Sequence, residues 1–385
     1  MNSFKTIRYS GGKSKIIPKI TQIIDGLPIK TVLDGFSGSG TVSNHFKYLG
    51  FQTTANDLAS YSKVLSETFL LAKNNKKELN EIINHLNSLT PTDGWFTENY
   101  GGHYNNGSTI QSDGKKRPFY VDVTRKLDSI RDEIDKLYPI DCVNKSVLLT
   151  SLLLALDPRC NDMGHQVSYL KKWSRSSLKP LNLELPYWKV DDLDHKVYNQ
   201  DVFDIQDPFD LVYFDPPYGT SNKQTKTTRV RYFSYYHLWT TIIKNDKPIL
   251  FGASNRREDV SSDKKEGAIS KFEDLKDDVV IESFNKLLDF NTNYTLISYS
   301  NRSKLDISDL VDIIKNKHDI LDLYEFEYKE NSQANSTINS ESVEEILDIL
   351  DRNIVCADAL TYHYRFDGTP STSSLTEIKL GEFFG

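Results

Sequence analysis

Residues 209–219 read FDLVYFDPPYG. An apolar, aromatic-rich run of the kind that forms a core strand ends abruptly in an acid, two prolines and a tyrosine. Proline lacks an N–H and cannot continue a central ladder, so the strand has to stop at Asp215. The carbonyl of Pro216 remains available, and Pro216 and Pro217 in series hold it in a fixed relation to the Asp215 carboxylate. Two acceptors therefore converge on one point, and the ring of Tyr218 follows to stack on something planar. A planar base with an exocyclic amino group matches that combination.

Toward the N-terminus, TVLDGF (31–36) reads as a short strand closing in a turn, the stretch after Gly38 as a helix to about Gly50, and FQTTAND (51–57) as a second strand. Strand, glycine turn, helix and strand make a βαβ unit and imply a parallel sheet. The glycines of DGFSGSG (34–40) let the backbone turn tightly and approach a ligand with no Cβ in the way. The helix that starts there aims its free amides at the same place. Asp57 ends the next strand, 23 residues after Asp34, a spacing that suits the two hydroxyls of a ribose. The spacing differs from the GxGxxG of NAD sites. The GGK at 11–13 precedes a helix rather than following a strand, so it is no Walker motif.

Apolar spacing predicts further helices over 14–25, 60–89, 121–137 and 143–156. Between them, 91–118 and the aromatic, basic stretch to 188 lose periodicity, and an insertion this large and loop-rich is usually functional. Strand-like runs resume at 196–204, 210–217, 248–254 and 293–300. Beyond 303 a helix leads into a strand, 331–340 reads as a linker, and an acidic helix follows it. The organisation expected is a first sheet-forming segment (1–89), a mostly non-sheet insertion (90–190), a second sheet-forming segment (191–303) and an acidic extension (304–385).

The 385 residues carry a formal net charge of −7, which argues against a nucleic-acid partner only if the charge is spread evenly. It is not: residues 301–385 hold 8 Lys/Arg against 17 Asp/Glu. Residues 216–245 and 163–183 contain basic residues and no acids, and local stripes govern phosphate contact more than the overall balance does. Three cysteines form no CxxC pair, no HExxH or Cys/His cluster occurs, and no metal is expected. A mean hydropathy of −0.50 and the lack of a long apolar run point away from a membrane. A soluble, cytoplasmic protein is the expectation.

In order along the chain, RYSGGK (8–13), DGFSGSG (34–40), Asp57, NQDVFD (199–204) and YFDPPYG (213–219) resemble the α group of N6-adenine DNA methyltransferases, the Dam-like class. YFSYYHLW (232–239) and the strands ILFGASNRR and TLISYSNRS resemble its later motifs. The finer match is to the modification methylases of type IIS restriction–modification systems. The resemblance implies an α/β, Rossmann-like S-adenosylmethionine-dependent methyltransferase fold: a mixed, mainly parallel sheet with helices on both faces, interrupted by a recognition domain. Tyr9 and Lys13, with Ser10 and Gly12, then close over the methionine end of the cofactor. Asp34, Phe36, Gly38 and Gly40 line its turn, Asp57 with Leu58 takes the ribose, and Asp201 with Val202 the adenine amino group. Phe203 packs on the adenine ring, and Asp215 borders the same site.

For catalysis the resemblance implies Asp215, Pro216, Pro217 and Tyr218 acting on a flipped-out base. Carbon-5 cytosine methylation needs a Pro-Cys pair, and none exists here. N4 of cytosine and a non-catalytic DNA-binding subunit of the same fold stay open. Lys171, Lys172, Arg175, Arg229, Arg231, Arg256 and Arg257 are candidate phosphate contacts on double-stranded DNA. A restriction endonuclease acting on the same site is the expected functional partner.

Overall fold

The computed structural model describes residues 4–218, 232–260, 270–274, 276–300, 303–317, 322–326 and 359–365. Its principal strands are β1 (Thr31–Asp34), β2 (Gln52–Asn56), β3 (Lys196–Tyr198), β4 (Phe209–Phe214), β5 (Thr292–Tyr299), β6 (Asp322–Phe326) and β7 (Ala359–Arg365). The chain divides into two compact units.

The first unit comprises Met1–Ile17, Phe36–Val202 and Val230–Ile269. It holds the parallel pair β2 and β3 and a core built on two helices, Val121–Leu137 and Val143–Leu156, at the boundaries expected of them. The second of these is apolar all round, VLLTSLLLAL, and is accordingly buried on nearly every side. Trp188, Trp239, Phe96 and Tyr100 complete this core.

The helix expected over 60–89 breaks into an α-helix Ser60–Ser66, a π-helical turn Glu67–Leu71 and a second α-helix Lys76–Ser88. At the break, the buried Lys47 ammonium donates to the carbonyls of Phe69 (3.1 Å) and Leu70 (2.7 Å). A turn of this kind leaves carbonyls that a side chain can take. Within the irregular stretch 91–118 a short helix, Trp95–Tyr100, forms because Asp128 accepts from the amides of Phe96 and Thr97 at its start.

The run at 248–254 is not the sheet strand that its composition predicts. Leu250–Phe251 pairs with Arg256–Arg257 in a small antiparallel ribbon. Gly252 (φ 71°) and Asn255 (φ 48°) turn the chain back on itself, because these residue types tolerate the left-handed region.

The second unit comprises Pro18–Gly35, Phe203–Arg229 and Ser270–Gly385. Among the described residues it holds five strands in the order β6-β7-β5-β4-β1. β4 runs parallel to both β1 and β5, and its side chains are buried on both faces except at Asp210, as a strand inside a parallel sheet requires. β7 is antiparallel to β5 and to β6, which makes the sheet mixed, as expected. β7 itself was not legible in the sequence. The Asp210 carboxylate accepts from the amides of Lys30 (2.8 Å) and Thr31 (2.9 Å), locking the starts of β1 and β4 together. The linker at 331–340 and the acidic helix after it lie outside the described residues.

Candidate active site

In the first unit the glycine turn, the end of β2 and the N-terminal motif meet. Gly38 (φ 49°) and Gly40 (φ 77°) are left-handed. The amide of Ser37 donates to the Asn56 carbonyl at 2.9 Å, and that of Gly38 to Asp57 Oδ2 at 2.8 Å. Asp57 Oδ1 accepts from the amide of Ala59 at 2.8 Å, at the start of the helix Ser60–Ser66. Burial pushes the Asp57 carboxyl up, and the N–H groups of Ala59 and Gly38 pull it back down. Leu58 beside it is half-buried. The amide side chain of Asn199 donates to the Asp57 carbonyl at 2.6 Å, and the Gln200 amide to Asn56 Oδ1 at 3.3 Å. These bonds bring the NQDV segment, with half-buried Asp201 and buried Val202, against the end of β2.

Tyr9 lies directly over the glycine turn: a Cβ on Gly38 would sit 3.0 Å from its ring. The ring of Tyr9 is stacked on Tyr236 (centroids 4.7 Å apart, planes at 14°), with Tyr61 and Tyr232 around it. Burial pushes the phenols of Tyr9 and Tyr61 well up, so both stay protonated. The amide of Ser10 donates to the Tyr236 hydroxyl at 2.6 Å, and that of Gly12 to the Tyr9 carbonyl at 3.1 Å. Lys13 is buried, with its ammonium on the Gly11 carbonyl at 2.7 Å. Phe36 is half-buried at the start of the turn.

In the second unit β1 and β4 end side by side. Asp34, buried, is the register partner of Tyr213, and the Gly35 amide donates to the Tyr213 carbonyl at 2.9 Å. Two residues further on is Asp215, half-buried, whose Oδ1 accepts from the Tyr218 hydroxyl at 2.8 Å. Pro216 is buried and Pro217 half-buried. Tyr218 is held from below by Tyr299 in an edge contact at 5.5 Å, and its carbonyl accepts from the Lys304 amide at 2.7 Å. Phe203 stacks with Phe272 at 6.2 Å, carries the Lys271 ammonium 5.0 Å from its centroid, and lines a cleft of about 410 Å³.

The basic candidates divide. Lys171, Lys172 and Arg175 are exposed on a loop whose backbone is tied to the 101–117 segment, the Thr109 amide donating to the Lys171 carbonyl at 3.1 Å and that of Trp173 to Gly107 at 2.9 Å. Arg256 lies over Phe251 at 4.6 Å and is half-buried. Arg257 does not fit the role expected of it. It is buried, donates to both oxygens of Asp246 (2.7 and 2.6 Å) and binds Asp259 as well. Its guanidinium is committed inside the protein. Arg229 and Arg231 lie outside the described residues.

Sequence reasoning assigned no role to Asn199, Tyr61 or Tyr236. Asn199 and Tyr236 stand inside stretches that were singled out, NQDVFD and YFSYYHLW. Only the fold shows that one binds the Asp57 carbonyl and the other backs Tyr9.

A mixed, mainly parallel sheet, a left-handed glycine turn leading from β1 to a helix, and an acid at the end of β2 define a Rossmann-like methyltransferase fold. Residues 9–279 match the family model of the D12 class N6 adenine-specific DNA methyltransferases, and the chain belongs to that family. It is similar to the modification methylase LlaI of Lactococcus lactis subsp. lactis, 28% identical over 377 residues that cover 90% of this chain and 55% of LlaI. It is similar to the type II methyltransferase M.NlaIII of Neisseria lactamica, 26% identical over 332 residues covering 84% and 91%. It also resembles the modification methylase StsI of Streptococcus sanguinis, 25% identical over 362 residues covering 88% and 51%. The chain thus spans about half the length of LlaI and StsI.

Proposed function

We propose that this chain transfers a methyl group from S-adenosylmethionine to N6 of adenine at a specific site in double-stranded DNA, as the modification component of a restriction–modification system. The observation that carries the reading is the Asp215–Tyr218 pair at the end of β4, an acid and a ring fixed together where two prolines stop a buried strand. Membership in the D12 class favours adenine over N4 of cytosine.

The residues present fit the cofactor. At Gly38 the left-handed backbone carries no Cβ between the turn and the Tyr9 ring, and Asp57 offers a carboxylate for two hydroxyls, held by the turn's own amide. Asp57 with Leu58 would take the ribose, Asp201 with Val202 the adenine amino group, and Tyr9, Ser10, Gly12 and Lys13 the methionine end. When bound, S-adenosylmethionine supplies an electrophilic methyl group on a sulfonium.

The chain's own residues do the rest. An adenine amino nitrogen is a poor nucleophile because its lone pair is delocalised into the ring. The Asp215 carboxylate and the Pro216 carbonyl accept its two hydrogens, which favours a pyramidal nitrogen with a directed lone pair. Tyr218 stacks on the base. Alignment and preorganised acceptors supply the acceleration, and the base has to leave the duplex to reach them. Lys171, Lys172 and Arg175 neutralise phosphates, and the insertion around them supplies sequence readout. A cognate endonuclease reading the same site completes the setting.

The test is transfer of labelled methyl to DNA followed by nucleoside analysis. N6-methyladenine is the expected product. Methylcytosine alone overturns the adenine assignment, and cofactor binding with no incorporation supports a non-catalytic module.

A further inference from the structure

Arg8 precedes the tyrosine that lies over the glycine turn, and it is bound more extensively than a surface arginine needs to be. Its backbone amide and its Nε both donate to Asp157 Oδ2 at 3.2 Å. One terminal nitrogen donates to the Asp157 carbonyl at 2.5 Å and to the Cys160 carbonyl at 3.4 Å. The other pairs with Asp162 at 3.3 Å. Asp157 and Asp162 are themselves buried. Asp157 follows directly on the end of the buried helix Val143–Leu156, so Arg8 is anchored to a rigid element. On the other side of Tyr9, the Ser10 amide is fixed by the Tyr236 hydroxyl. The backbone is therefore fixed on both sides of Tyr9, whose ring packs against Tyr236, Tyr61 and Tyr232 and over Gly38.

The same loop reaches the basic stretch. The side chain of Asn161 donates to the Lys172 carbonyl at 2.8 Å and accepts from the Ser174 amide at 3.1 Å, and the Leu170 amide donates to the Asn161 carbonyl at 2.9 Å. Arg8 thus grips the segment that also sets the path of Lys171 and Lys172.

We propose that Arg8, gripped by Asp157 and Asp162, is a positioning residue: it holds Tyr9 over the glycine turn and so sets cofactor affinity. The inference rests on the reading that Tyr9 and the Gly38 turn bound the cofactor. An arginine suits the task because its fork reaches a carboxylate, two carbonyls and a second carboxylate at once, which a lysine cannot do.

The experiment compares wild type with Arg8→Ala, Arg8→Lys and Tyr9→Ala. It measures S-adenosylhomocysteine binding by calorimetry, and KM for S-adenosylmethionine and kcat at saturating DNA. Arg8→Ala should weaken S-adenosylhomocysteine and raise KM by about tenfold or more, with kcat at saturating cofactor within about twofold. Arg8→Lys should recover part of the loss. A merely structural role would lower thermal stability and the active fraction without moving KM, and that result overturns the proposal. So does unchanged cofactor affinity in a folded Arg8→Ala protein while Tyr9→Ala binds weakly. If Tyr9→Ala also binds normally, the placement of the cofactor against Tyr9 fails, not only the role of Arg8.

Discussion

Tyr218 donates its phenolic proton to Asp215 Oδ1 across 2.8 Å. The ring proposed to stack on the base and the carboxylate proposed to take the target amine are thus joined to each other by a hydrogen bond. Tyr218→Phe keeps the ring and removes the bond, and should lower kcat by about tenfold or less, whereas Tyr218→Ala removes both and should cost about a hundredfold or more. Steady-state methyl transfer separates the two. Equal losses would make the hydrogen bond, not the ring, the important part. Asp215→Ala should abolish turnover while DNA affinity in a gel-shift assay stays near wild type, since no phosphate contact is removed.

Gly38→Ala places a methyl 3.0 Å from the Tyr9 ring on a backbone at φ 49°. Both the left-handed conformation and the contact penalise it, by about 1–2 kcal/mol for the backbone alone. Thermal melting should show that loss, and S-adenosylhomocysteine binding should weaken beyond it, because the ring has to leave the turn. Unchanged binding in a folded variant would remove the turn from the cofactor site.

His237 is fully buried, and its Nε2–H donates to the Gln166 carbonyl at 3.0 Å. Burial holds its pKa down at about 3, against 6.5 for a free imidazole. The unfolded chain binds more protons than the folded one between those values. The stability tied to a neutral His237 is thus complete above about pH 6.5 and drains away as pH falls toward 3, by up to about 1.4 kcal/mol per pH unit. Urea unfolding at pH 7.5, 6 and 5 should show the decline, and His237→Gln should flatten it. An unchanged slope in that variant would assign the acid sensitivity elsewhere.

Lys171 and Lys172 are exposed on a loop whose backbone is pinned from Thr109 and Asn161. Lys171→Ala should weaken DNA on all sequences alike and lower the slope of log affinity against log salt by about one. Binding isotherms at several salt concentrations check this; a slope equal to that of wild type takes Lys171 off the DNA.

The sequence alone determined the parts of this protein that depend on neighbours along the chain. Proline chemistry stops β4 at Asp215, glycines mark the turn after β1, 3.6-residue periodicity sets the helix Val121–Leu137, and a long apolar run marks the helix Val143–Leu156. Each of these is a local rule, legible without knowing what lies across the core. Tertiary structure alone decided which charges are spent and which strands pair. Arg256 and Arg257 are adjacent and chemically identical, yet one lies half-buried over a phenylalanine while the other is enclosed by Asp246 and Asp259. PILFGAS has strand composition but turns back at Gly252 into its own ribbon, and β7 takes a place beside β5 that nothing in TYHYR announces. Asp246 and Asp259 stand close to Arg257 in the chain whereas β7 finds β5 across a long intervening segment, but in each case the fold chooses which groups are enclosed together, and the free energy of such contacts leaves no periodic mark on the segment that makes them.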